Sequence, residues 1–148
     1  TVVSNNVDAP NTTIGNSGVF VEASSLLRTS ITLKTDNPLL IINWVANLEA
    51  DGSNDRPFVR FYYSINGGAY AGKTLSNLVS VEATGGGQGA QAMQFVYDTL
   101  NLTANAGDTV TISPYYSSEA TTTMQIQAGQ GFGNVGVQTY FVLQEVAA

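Results

Sequence analysis

Apolar and polar positions alternate along most of this chain with a period of two. Leu27, Thr29, Ile31 and Leu33 interleave with Arg28, Ser30, Thr32 and Lys34, the mark of a strand with one buried and one wet face. One stretch departs from alternation. Pro38 to Leu48 is almost continuously apolar, carries no charge and holds the only tryptophan, Trp44, before dissolving into the turn formers from Glu49 to Asp55. A run of this kind, rich in β-branched residues, predicts a central strand covered on both faces, with a short buried helix as the alternative that periodicity leaves open. Pro38 stands at its start, where no ladder donor is lost.

The other segments order themselves around that strand. Gly18 to Ala23 reads as a short first strand, and Pro57 to Ile65 as a strand dense in aromatics. Asn66-Gly67-Gly68 follows as a hairpin turn, because Asn and Gly accept the positive φ of primed turns, and Ala69-Tyr70-Ala71 is the return. Further strands are expected at Leu78 to Glu82, Ala92 to Leu102, Thr109 to Tyr116, Thr121 to Ala128 and Val135 to Val146. Thr103 to Asp108 is a tight turn, and Gly-rich loops occupy 84–89 and 129–134. Val110 and Ile112 face the core, and Pro114, which cannot donate, calls for an edge or a bend. No segment has a helical period, and no βαβ alternation occurs. The fold class expected is all-β, an antiparallel β-sandwich of eight to ten strands.

Residues 1–17 scatter Val2, Val3, Val7 and Ile14 among turn and cap residues, too little apolar surface to fold alone. Two readings stand: a frayed terminus, or an extended arm docking those four residues on a neighbouring subunit. The organisation expected is an arm over 1–17 and a sandwich domain over 18–148.

Composition narrows the function. A chain of 148 residues is one domain by size and long enough for a real core. Charged residues make up only 11%, against roughly 25% in an ordinary domain, so the surface is mostly neutral and polar. The net charge of −6, with five basic residues, argues against nucleic acid and anionic membrane as partners. No apolar run approaches the roughly 18 residues of a helical membrane span. With no Cys and no His, a disulfide scaffold, a thiolate zinc site and the commonest general base are all missing.

No catalytic group and no cofactor emerge, and the reading is of a protein that is not an enzyme. Glu49, Asp51, Asn54 and Asp55 could offer oxygens to calcium, but their spacing departs from the EF-hand pattern and solubility alone accounts for an acidic loop. The glycines at 84–89 lack the Lys-Ser/Thr of a phosphate loop. Tyr62, Tyr63, Tyr70, Tyr115 and Tyr116 either pack into strands and interfaces or stack on sugars from one exposed groove.

The last third carries a strand ending Leu100-Asn101-Leu102, then Ala106-Gly107-Asp108-Thr109-Val110-Thr111-Ile112, then a strand and glycine loop, then Tyr140-Phe141-Val142-Leu143-Gln144-Glu145. This order resembles the jelly-roll superfamily of tumour necrosis factor and complement globular heads, and is similar to fibre-head and capsid-decoration proteins of tailed phages. The resemblance implies a jelly roll and a threefold homotrimer with aromatics at the axis. Carried over, it places Phe61, Tyr63, Phe95, Tyr115, Tyr140 and Phe141 at the subunit interface. The chain lacks the collagen-like stalk of the eukaryotic soluble members, and its N-terminal arm stands in that place. The function expected from it is a capsid decoration (cement) protein at the virion surface, with Val2, Val3, Val7 and Ile14 contacting the major capsid protein. The rival is an extracellular receptor- or carbohydrate-binding head, from a phage fibre or a secreted bacterial adhesin, whose partner is a host-surface glycan.

Overall fold

A computed structural model describes residues 2–7, 12–14, 19–22, 24–50, 57–72, 79–80, 91–118, 124–126 and 139–147. Its strands are β1 (Val2–Val7), β2 (Thr12–Ile14), β3 (Val21–Glu22), β4 (Thr29–Thr32), β5 (Leu39–Ala50), β6 (Pro57–Ile65), β7 (Ala71–Gly72), β8 (Val79–Ser80), β9 (Gln91–Asn101), β10 (Thr109–Ser118), β11 (Met124–Ile126) and β12 (Thr139–Val146). The helical content among the described residues is one 3-10 turn, Ser25–Leu27, capped by the Ser24 hydroxyl, which accepts from the Leu26 N–H at 3.2 Å.

All pairings are antiparallel and they are nested. β6 pairs with β7, β5 with β9, β4 with β10 and β1 with β12, so the chain is wound as one long folded ribbon. Two further pairings, β12 with β5 and β10 with β6, close the ribbon into sheets. The first sheet runs β1-β12-β5-β9, and β2 and β11 continue the edges of β1 and β12. The second runs β4-β10-β6-β7, extended by β3 and β8. Twelve segments thus fill eight strand positions, and the protein is an antiparallel β-sandwich of jelly-roll type.

Strand alternation builds the core between the sheets. Leu40, Ile42 and Trp44 of β5 and Phe141 and Leu143 of β12 face inward from the first sheet. Ile31 of β4, Val59 and Phe61 of β6, and Val110 and Ile112 of β10 meet them from the second. Phe61 bridges the layers, its ring meeting Trp44 at 5.9 Å and 86° and Phe141 at 5.7 Å and 76°. Such edge-to-face contacts contribute about 0.5–1.5 kcal/mol each beyond the area they bury. A polar contact locks the crossover between sheets. The buried Glu145 of β12 accepts from the Lys34 N–H at 2.7 Å, the Thr35 N–H at 2.8 Å and the Thr35 hydroxyl at 3.0 Å, pinning the link from β4 to β5.

The turns follow the expected chemistry. Asn66 and Gly67 both take positive φ, 51° and 73°, and the Gly68 N–H closes on the Ile65 carbonyl at 3.0 Å. Gly107 takes φ 93° in the Asn105 to Asp108 turn, where the Asp108 carboxylate accepts from the Asn105 N–H and the Asn66 amide, both at 2.8 Å.

Pro114 lies inside β10, which runs on to Ser118 against β6. The proline is tolerated because β4 stops pairing at Ile112 and β3 begins at Tyr115, so it falls in the gap between two partners. Two described segments of residues 1–17 pair with strands of the first sheet. Val2 to Val7 pair along β12 from Gln144 to Thr139, and Ile14 pairs with Met124, because the first sheet's edge offers a ready ladder to an extended segment.

Truncating the bridge between the layers is the sharpest test of this core. Phe61→Ala is expected to destabilise the protein by about 3–5 kcal/mol, read as a lowered urea midpoint with the strand circular-dichroism signal retained below it.

Candidate functional site

On the second sheet, inward Val59, Phe61, Val110 and Ile112 force Arg60, Tyr62, Ser113 and Tyr115 outward. The register sets Ser113 opposite Tyr62, and Tyr115 opposite both Arg60 and Glu22. Tyr62 and Tyr115 are therefore diagonal neighbours across the ladder, within reach of each other's rings. They stack with centroids 4.0 Å apart at 23°.

The stack is the middle of a longer file. Phe20 adjoins Tyr62 at 6.4 Å, and Tyr70 adjoins Tyr115 at 6.0 Å. A guanidinium closes each end: Arg60 lies 4.6 Å over the Phe20 ring and Arg28 lies 5.2 Å over the Tyr70 ring. Gly72 of β7 sits directly opposite Tyr62, and a Cβ there would come within 3.0 Å of the tyrosine ring. Glycine at this place lets the ring lie against the backbone of the neighbouring strand.

The two ends differ electrostatically. At one, Glu22 grips Arg28 through two parallel bonds, Nε to Oε1 and Nη2 to Oε2, both 2.7 Å, and its Oε1 also accepts the Ser113 hydroxyl at 2.7 Å. The Arg28 bond, aided by Ser113 and opposed by burial, holds the Glu22 carboxyl below the usual glutamate range, and Glu22 in turn raises Arg28. A carboxylate so stabilised is a weak base, and Ser113 is fully buried, so this pair is built for structure rather than nucleophilic work. At the other end, Arg60 forms no ion pair among the described residues, and its Nε is buried without a hydrogen-bond partner there. Burial raises the phenols of Tyr70 and Tyr115 above the usual value.

The outer face of the first sheet has a different chemistry. Rows set by the register bring together Val146, Leu39 and Asn101; Gln144, Ile41 and Thr99; and Val142, Asn43 and Tyr97, with Tyr140 beside Val45 in the next. None of these residues is charged. Tyr97 is 52% exposed and Tyr140 45%, and Leu39, Ile41, Val45, Val142 and Val146 are half-buried.

The six aromatics expected at one subunit interface fall in separate places. Phe61 and Phe141, 3% and 2% exposed, are spent inside the chain's own core, which corrects their assignment to a contact between copies. Tyr63 leans on that core from β6. Tyr115 belongs to the aromatic file on one outer face and Tyr140 to the uncharged face on the other. Phe95 is opposite Val45 in the β5–β9 ladder, and its side chain is outside the described residues. The same holds for the side chains of Val2, Val3, Val7, Ile14 and Tyr116, for the acidic loop from Asp51 to Asp55, and for both glycine loops. Of the tyrosines weighed for sugar stacking, Tyr62, Tyr70 and Tyr115 come together and Tyr63 does not. Phe20, Arg28, Arg60 and Tyr97 were missed; alternation along β6, with Val59 and Phe61 inward, is the signal that would have found Arg60.

No protein-family model matches this chain, and no curated protein matches it. Among solved structures, a chain in the structure of infectious bursal disease virus, Gx strain, aligns with a TM-score of 0.50 at 10% identity, over 100% of this chain and 37% of that one. The GH26-CBM35 beta-(1,4)-mannanase of Podospora anserina aligns at 0.33 and 13% identity, over 99% of this chain and 28% of that one. The chain spans well under half the length of either. The first likeness shows the fold alone; the second is too distant to add to it.

The Glu22 clamp makes stability depend on acid. With its folded-state value depressed, Glu22 stabilises the fold above its unfolded value of about 4.3, and that contribution is lost as pH falls through the lower folded value. Glu22→Gln is therefore expected to lower the urea midpoint at neutral pH and to flatten its decline below about pH 4.3. Equal acid slopes in both proteins would show that the clamp plays no such part.

Proposed function

We propose that this chain is a non-enzymatic structural component of a virus particle, a homotrimeric decoration protein of the phage cement type that binds the major capsid protein at the virion surface. The observation that carries the reading is the two-sided apolarity of β5. Its inner face is covered by the second sheet, while Leu39, Ile41 and Val45 point the other way into an uncharged surface flanked by Tyr97 and Tyr140. An uncharged surface of mixed aliphatic, amide and exposed aromatic residues suits an interaction site. In a threefold ring each such face would pack against a different surface of the next copy and give the strand its second cover, with aromatics in a charge-poor interface core.

Attachment to the capsid is assigned to the N-terminal segment that carries Val2, Val3, Val7 and Ile14. β1 ends the first sheet, so its edge away from β12 presents free backbone groups among the described residues to an added strand. Three such edges on one trimer would act together, and weak contacts would sum through effective concentration. The fold shared with a chain from a virus structure supports the reading at the level of architecture.

Sedimentation velocity on the isolated chain tests assembly. The wild type is expected as a trimer and Tyr140→Asp as a folded monomer, because a charge cannot be buried unpaired in that contact. A monomeric wild type would sink the proposal. Mixed with undecorated capsids, the wild type is expected to co-sediment with them, and a chain shortened by residues 1–7 to stay behind as trimers.

A further inference from the structure

We infer that the outer face of the second sheet binds a carboxylate-bearing sugar, its ring lying along the Tyr62–Tyr115–Tyr70 file and its carboxylate meeting Arg60. Three observations converge. Four aromatic rings in a file of contacts make an apolar ridge, the faces of Tyr62 and Tyr115 turned on each other and their edges left to the C–H surface of a pyranose. The protein also carries its own example of the contact required: at the far end of the file a carboxylate, Glu22, engages a guanidinium held over an aromatic ring. Arg60 repeats that arrangement over Phe20 with the carboxylate missing among the described residues.

Charge points the same way. The chain as a whole is acidic, at −6, yet two of its five basic residues, Arg28 and Arg60, belong to this face. Arg60, which forms no ion pair among the described residues, gives this face a positive charge for a small anionic ligand to meet. A polynucleotide also stacks on aromatics, but it needs a basic track that a net charge of −6 opposes. The site lies on the sheet opposite the proposed trimer face, so it stands or falls independently of the assembly reading.

The test is calorimetric titration of the full chain with tetragalacturonic acid and sialyllactose, with maltotetraose and lactose as neutral counterparts and an oligothymidylate as the nucleic-acid arm. An acidic probe is expected to bind at least about ten-fold more tightly than its neutral counterpart, the scale of one charge-assisted guanidinium–carboxylate pair. That preference should shrink as salt is raised. Arg60→Gln should abolish the preference and Arg60→Lys restore part of it, while Tyr115→Leu should weaken acidic and neutral probes alike; thermal unfolding of each variant reports on folding separately. Equal binding of acidic and neutral sugars overturns the inference, as does a preference that survives Arg60→Gln in a folded protein. Binding of the oligothymidylate alone, or of no probe at millimolar concentration, overturns it too.

Discussion

Everything in this molecule hangs on one strand that is apolar on both sides in a sheet that has an inside on only one. The inner half of β5 finds its partner within the chain, where Trp44 meets Phe61 across the sandwich and Phe61 meets Phe141 in turn. That three-ring contact sets the spacing of the two layers and orients the strands on either side. The outer half has no such partner among the described residues, and Leu39, Ile41 and Val45 are half-buried beside two exposed tyrosines. Burial of apolar area is the dominant favourable term in association as it is in folding, and this face has such area left to bury.

The two outer faces divide the surface chemistry between them. One carries no charge among its described side chains and exposes two tyrosines. The other concentrates rings and guanidinium groups, with a carboxylate engaged at one end only. In a sandwich the two necessarily point in opposite directions, so an assembly that closes over the first leaves the second turned outward. A low charge content makes this division visible, because few side chains blur the contrast.

Local rules were legible in particular residues. Alternation in Leu27 to Leu33 matches burial position by position, and Asn66-Gly67 makes the primed turn that its φ tolerance requires. The continuous run around Trp44 became the strand with neighbours along both edges. What alternation does not say is which side of a strand is the inside. In β9 the side bearing Tyr97 is richer in aromatics than the side bearing Asp98, yet Asp98 and Leu100 face the core and Tyr97 faces out. Phe61 and Phe141 were misassigned for the same reason: aromatic content marks both interfaces and cores, and only the pairing of sheets tells them apart. The aromatic file was beyond reach because it joins β6 and β10 to Phe20 and Tyr70, residues whose approach depends on long-range pairing.

The nested winding has a kinetic corollary. β6 and β7 close across a tight turn, while each pair outward from them, β5 with β9, β4 with β10 and β1 with β12, joins residues further apart along the chain. Loop-closure entropy rises with that separation, so the ribbon zips from its hairpin tip toward its open end, at the slow pace of a high-contact-order topology. The strand nearest the chain's start is the last to find its place, and a growing polypeptide has to wait for β12 before it can seat β1.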